Sequence, residues 1–251
     1  MKPENWLSYN ELAWIEPILS PPEKVAGEVE LYCRAIVENS AVESVTLLHL
    51  GSGAGIYDFT FKKYFTVTGV DISEGMLEVA RQINPEVDYH YGDMRTIELG
   101  KLFDAVVIPE SISYMTDLDD LRRAVFNAYQ HLKPGGVLLI VSLLREEFRE
   151  NNFTYNGSKD DLQVTVFENN YLPDPEGSCY EATMIYLIRQ GGELEIYTDQ
   201  HILGLFALKE WLDILQKIRV DLKQIRLDDL YDPYLPGDGE YCLRMFVGRK
   251  I

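Results

Sequence analysis

Residues 45–73 read VTLLHLGSGAGIYDFTFKKYFTVTGVDIS. An apolar run, VTLLHL, ends in the alternating glycines Gly51, Gly53 and Gly55, and a second run, TVTGVD, ends in Asp71. Short continuous apolar runs of this kind suit strands buried on both faces. Glycines at the end of such a strand permit a sharp turn and a close approach of backbone to a ligand. The stretch that follows, residues 54–65, is expected to form a helix whose first N–H groups face that ligand. Asp71 comes 20 residues after Gly51. It either accepts hydrogen bonds from ribose hydroxyls or caps the next helix.

The same alternation extends downstream. Ser73 opens a second helix as its N-cap, with Glu74 in the first turn. DYHYGD (88–93) and FDAVVIPES (103–111) read as strands, Asp117 to Leu132 as a helix, and GGVLLIVSLL (135–144) as a fifth strand. Lys133-Pro134-Gly135-Gly136 stops the helix before that strand. Strands alternating with helices predict an α/β fold with a doubly wound, mostly parallel sheet. Residues 145–203 differ: LQVTVFE, CYEATMIYLIR and ELEIYTDQHIL are strand-like, and Gly191-Gly192 joins the last two as a hairpin. They predict an antiparallel β insertion after strand five. A helix over Ala207 to Ile218 and two strands, VDLKQIRL and YCLRMFVGRK, follow. The last strand is expected to run antiparallel within a seven-stranded main sheet. Upstream, residues 1–39 read as helical, opened at Pro21-Pro22 and preceded by Trp6, Tyr9 and Trp14. The expected division is an N-terminal helical segment (1–40), an α/β core (41–144 and 204–251) and an antiparallel β insertion that caps it (145–203).

Lys plus Arg is 23 and Asp plus Glu is 41 among 251 residues, a net charge of −18. Such a surface repels phosphate backbones and anionic membranes, so neither nucleic acid nor a membrane is the expected partner. The same charge would steer a cationic small molecule inward. Three scattered cysteines (Cys33, Cys179, Cys242) make neither a disulfide framework nor a zinc site, and no metal cluster is evident. A reducing cytosol fits. The N-terminus lacks the pattern of a signal peptide. A homodimer is compatible with the sequence but not readable from it.

The glycines do not follow the dinucleotide fingerprint G-x-G-x-x-G: the third comes one residue early, with Ile56 in the final position. A nicotinamide-dependent oxidoreductase is therefore the weaker alternative. The spacing resembles the first motif of the class I S-adenosylmethionine-dependent methyltransferases, whose second and third motifs are acids ending strands two and three. Asp71 and Asp93 stand there, and Leu132-Lys133-Pro134-Gly135-Gly136 is similar to the family's turn before strand five. The resemblance covers residues 45–144. Ser113-Tyr114-Met115 and His201-Ile202-Leu203-Gly204-Leu205-Phe206 also resemble small-molecule N-methyltransferases, including those that dimethylate nucleotide-linked amino sugars.

The resemblance implies S-adenosylmethionine as cofactor and a small-molecule methyl acceptor, with in-line transfer to an amine nitrogen. It places His49, Gly51, Ser52, Gly53 and Gly55 around the methionine end, and Asp71 and Ile72 at ribose and adenine. Asp93 and Met94 flank the adenine, Glu110 and Ser111 lie near the transferred methyl, and Tyr9 closes over the cofactor. Candidate catalytic residues are His201, Glu110 and Tyr114; His201 reads equally as a structural strand residue. His90 and His131 read as structural. One departure stands out: the family usually has an acid where this chain has His49. That loss keeps a non-catalytic, cofactor-binding regulatory protein on the same fold as a second reading.

Overall fold

The computed structural model describes residues 6–228, 230–236 and 240–251. In chain order the strands are β1 (Thr46–Leu50), β2 (Thr66–Asp71), β3 (Asp88–Tyr91), β4 (Phe103–Pro109), β5 (Leu132–Leu143), β6 (Asn152–Lys159), β7 (Leu162–Tyr171), β8 (Cys179–Gln190), β9 (Glu193–Gly204), β10 (Val220–Leu227) and β11 (Leu243–Lys250). The helices are α1 (Glu16–Leu19), α2 (Ala26–Asn39), α3 (Asp58–Phe61), α4 (Glu74–Ile83), α5 (Leu118–Gln130) and α6 (Leu208–Leu215). Seven strands form one sheet in the order β10-β11-β5-β4-β1-β2-β3, and β6 to β9 form a second sheet in sequence order. Strands β1 to β5 pair in parallel. The final strand β11 lies antiparallel between β5 and β10, as its place after the last helix predicts.

The two faces of the main sheet follow the period of two along each strand. Leu47, Val67, Ala105, Val107, Val137 and Leu139 pack on one face against Tyr32 and Ile36 of α2 and Leu77 and Ala80 of α4. Leu48, Val106, Ile108, Leu138 and Ile140 pack on the other against Leu121, Val125 and Ala128 of α5 and Trp211 and Ile214 of α6. Each such fully buried side chain contributes about 1.5–3 kcal/mol, so the central strands form the stable frame from which their carboxyl-terminal loops project. Local signals fix the helix starts: Ser73 Oγ accepts the Met76 N–H at 3.1 Å, and Asp117 Oδ1 accepts the N–H groups of Asp119 and Asp120 at 2.9 and 2.8 Å.

Four expectations are corrected. The helix over 54–65 shrinks to the single turn of α3, because φ is +71°, +53° and +71° at Gly51, Gly53 and Gly55, outside helical space. The N-terminal region is not one helix: residues 7–12 are turns, and only α2 is long. The second sheet has a fourth strand, β6, whose sequence NFTYNGSK carries no regular apolar alternation. The fifth strand begins at Leu132 rather than residue 135, which ends α5 at Gln130. The Gly191-Gly192 hairpin forms as expected, both residues having positive φ. No helix among the described residues is long and apolar enough to cross a membrane.

Candidate active site

The strand order reverses between β1 and β4, the point at which open α/β sheets bind ligands beyond their carboxyl ends. A cavity of about 1110 Å³ lies there. His49 near the end of β1 and Gly51, Ser52 and Gly53 after it, Asp71 at the end of β2 and Ile72 after it, Asp93 and Met94 after β3, and Glu110 and Ser111 after β4 all line it. Four strand ends far apart in sequence thus face one space.

Asp71 ties two of those turns together. Gly53 N–H donates to its Oδ2 and Ser73 N–H to its Oδ1, each at 2.8 Å. Burial pushes its carboxyl above the ordinary range despite these donors. A carboxylate has about four acceptor positions, so Asp71 keeps two for incoming hydroxyls. Asp93 does not. The Arg95 main-chain N–H, Nε and Nη2 fill both its oxygens, and Arg95 also binds Asp120. Partial burial works against ionisation of Asp93, but the Arg95 bonds prevail and hold its carboxyl below the usual range. Arg95 thus takes up much of the acceptor capacity of Asp93, which still lines the cavity.

At Gly53 an added Cβ would meet open space, which marks backbone facing the cavity. Gly55 differs and does not line the cavity. A Cβ there would lie 2.4 Å from the Tyr89 hydroxyl and 2.7 Å from Asn84 Nδ2. Its role is to seat the turn against the protein rather than to approach a ligand. His49 is buried, and its Nδ1 lies 2.7 Å from Oδ1 of Asp58, itself fully buried. Tyr89 donates its O–H to the other oxygen of Asp58 at 2.8 Å. The acid missing at position 49 is thus present behind the imidazole, one shell deeper.

Across the cavity the wall is acidic and phenolic. Glu28 accepts O–H bonds from Tyr32 (2.5 Å) and Tyr57 (2.7 Å), Glu110 from Tyr231 (2.7 Å), and Glu168 from Tyr155 (3.1 Å). Burial, reinforced by the nearby Glu28 charge, pushes the Glu110 carboxyl up to about 8. Burial also raises Glu16, Glu28 and Glu168. Glu110 has φ +58° and ψ −35°, a sparsely populated conformation that costs about 1–3 kcal/mol. Its N–H, bonded to the Val141 carbonyl at 2.9 Å, holds it there.

The N-terminal segment closes the remaining side. Ser8 N–H and O–H both donate to Asp199 Oδ2 at 2.8 Å, and Ser73 Oγ–H donates to the Tyr9 carbonyl. His201 is buried, with Nε2 3.1 Å from Asp199 Oδ2 and Nδ1 2.8 Å from the Tyr114 hydroxyl, which is 2.5 Å from that of Tyr9. The rings of Trp6, Tyr9 and Tyr114 surround the imidazole. Burial opposes ionisation of Asp199, yet the His201 and Ser8 donors hold it at about 2. Trp14, the third aromatic of the N-terminal stretch, is 41% exposed. His131 bonds the Asn127 carbonyl through Nδ1 at 2.9 Å, a local structural role.

A methyltransferase-domain family profile matches residues 47–136. The chain is 37% identical over 180 residues to a dTDP-3-amino-3,4,6-trideoxy-alpha-D-glucopyranose N,N-dimethyltransferase of Streptomyces venezuelae, covering 70% of this chain and 75% of that protein. The chain belongs to the S-adenosylmethionine-dependent methyltransferases. It is also 29% identical over 219 residues, 84% of this chain and 80% of the relative, to a dTDP-4-amino-2,3,4,6-tetradeoxy-D-glucose N,N-dimethyltransferase of Saccharopolyspora spinosa. Its fold matches the crystal structure of Streptomyces venezuelae DesVI with a TM-score of 0.79 at 24% identity, over 93% of this chain and 94% of that one.

The methyltransferase has a cradle that suits its cofactor: open space over Gly53, two acceptor positions on Asp71, and the indole Nε1 of Trp6, buried with no partner among the described residues. Asp71 would hold the ribose hydroxyls and Ile72 and Met94 would pack on the base. His49, backed by Asp58, would meet the methionine end. Several residues at or behind the wall escaped the sequence reading, because no motif marks Asp58, Glu28 or Glu168. Asp199, two residues before His201 on the same face of β9, carried a signal in its period-two spacing.

Proposed function

We propose that the protein transfers a methyl group from S-adenosylmethionine to the amine nitrogen of a small molecule. The carrying observation is that the nucleoside cradle at the strand ends and the wall of Glu28, Glu110 and Glu168 share one cavity. The amino-sugar N,N-dimethyltransferases among its relatives support the same class of acceptor. When bound, the cofactor supplies an activated methyl on a sulfonium. The protein's task is then to position the amine, exclude water and receive a proton.

The N-terminal segment, pinned through Ser8 to Asp199, acts as a lid, and the second sheet acts as the acceptor-side cap. An ammonium entering the acidic wall is attracted by Glu28 and Glu110, and it must be neutral to attack. Glu110, with its raised pKa, and the chain Tyr9–Tyr114–His201–Asp199 are the two groups that can take that proton. With Nε2–H of His201 donated to Asp199, Nδ1 accepts the Tyr114 O–H, whose oxygen accepts the Tyr9 O–H. A proton given to the Tyr9 oxygen then shifts along the chain to leave an imidazolium beside Asp199.

The test is incubation with S-adenosylmethionine and a panel of primary and secondary amines, read by mass spectrometry. The expected result is S-adenosylhomocysteine together with amines heavier by one or two methyl groups. Products methylated only on hydroxyl or carboxyl oxygen would refute the amine assignment.

A further inference from the structure

We infer that the acceptor is a free amine, positively charged and carrying no phosphate, in contrast to the nucleotide-linked sugars named for the relatives. The inference rests on the N-methylation reading and narrows it. Seven carboxylates line the cavity, Glu16, Glu28, Glu110 and Glu168 among them, and among the described residues only Lys24 and Arg95 line it as lysine or arginine cations. Arg95 is already engaged by Asp93 and Asp120. On the strands that lead to the loop bearing Tyr231, Arg226 is paired with Asp228 and Arg244 with Glu147. Lys24 is exposed.

A diphosphate is recognised by charge-assisted donors, above all by guanidinium forks. This wall offers acceptors instead. Four phenols here donate their O–H groups to the carboxylates: Tyr32 and Tyr57 to Glu28, Tyr231 to Glu110, Tyr155 to Glu168. That leaves the rings of Tyr57, Tyr155, Tyr231 and Tyr234 as lining surface. Aromatic faces and carboxylate oxygens together form a receptor for ammonium groups. On Glu28 and Glu110 the phenols occupy Oε1, and Oε2 has no hydrogen-bond partner among the described residues. A second cationic group on the acceptor would be held there while the reacting nitrogen gives up its proton.

Titration calorimetry on the cofactor-free protein tests this with a matched pair of probes: 4-amino-4,6-dideoxyglucose, and the same sugar linked to thymidine diphosphate. The free amine is expected to bind at least about tenfold more tightly, and Glu28→Gln and Glu168→Gln, each checked for an intact thermal transition, are each expected to weaken it about tenfold. Equal or tighter binding of the nucleotide-linked sugar, or unchanged affinity in both variants, would overturn the inference. Parallel incubations with S-adenosylmethionine separate the two proposals. Methylation of the nucleotide-linked amine alone sinks this inference and leaves N-methylation standing. Tight binding of the free amine with methyl appearing only on oxygen sinks N-methylation and leaves the charge preference standing.

Discussion

Replacing Glu110 with Gln removes a titration that the acceptor wall builds into the fold. Burial and the charge of Glu28 push this carboxyl from its ordinary 4.5 up to about 8. An acid whose folded pKa exceeds its unfolded value binds its proton more tightly in the folded protein. Its contribution is therefore most favourable below about pH 4.5, falls as pH rises between about 4.5 and about 8, and is level above that. At about 1.4 kcal/mol per unit the full shift sets a ceiling of about 5 kcal/mol. The cavity is polar and part of the shift comes from the neighbouring Glu28 charge, so a loss of about 2–3 kcal/mol is expected. Urea unfolding of the ligand-free protein at about pH 5 and about pH 8.5 measures it. Wild type should lose that amount relative to Glu110→Gln across the interval, and the variant should be the more stable at the alkaline end. Parallel pH dependence in the two proteins would refute the reasoning.

Two further outcomes follow from other parts of the site. Asp58→Asn deprives the buried His49 and the Tyr89 hydroxyl of a charged acceptor, so stability should fall by about 1–3 kcal/mol; thermal unfolding checks it, and an unchanged midpoint would show that the pair is not coupled to the fold. Asp199→Asn removes the charge that supports an imidazolium at His201. It should lower the turnover number about 10- to 100-fold and move the pH profile; an unaltered profile would assign proton removal to Glu110.

Much of the main sheet is legible because each strand is short, apolar and punctuated. The glycines after Leu50 and the Ser73 cap each act locally. What sequence reading misses depends on contacts between distant segments. The helix expected over 54–65 is preceded by two left-handed glycines, and a third, Gly55, interrupts its first turn. β6 is a strand by virtue of pairing with β7, not of its own composition. Asp93 looks like a free acid until Arg95 folds back on it. The acidic wall draws Glu28 from α2, Glu110 from the end of β4 and Glu168 from β7, and no spacing in the chain announces that convergence. His49 is the instructive case: its departure from the family's acid seemed to cost charge, while Asp58, nine residues later, restores a carboxylate behind it.

The central claim is that the turns after β1 and β2 hold the nucleoside of S-adenosylmethionine through Asp71. Calorimetric titration of the cofactor into wild type and Asp71→Ala addresses it most directly, given that the variant retains a cooperative thermal transition. The account predicts one site per chain in wild type and an affinity weaker by about 1.5–3 kcal/mol, roughly 10- to 150-fold, in the variant. No heat at millimolar cofactor, or equal affinity in the two proteins, would contradict it.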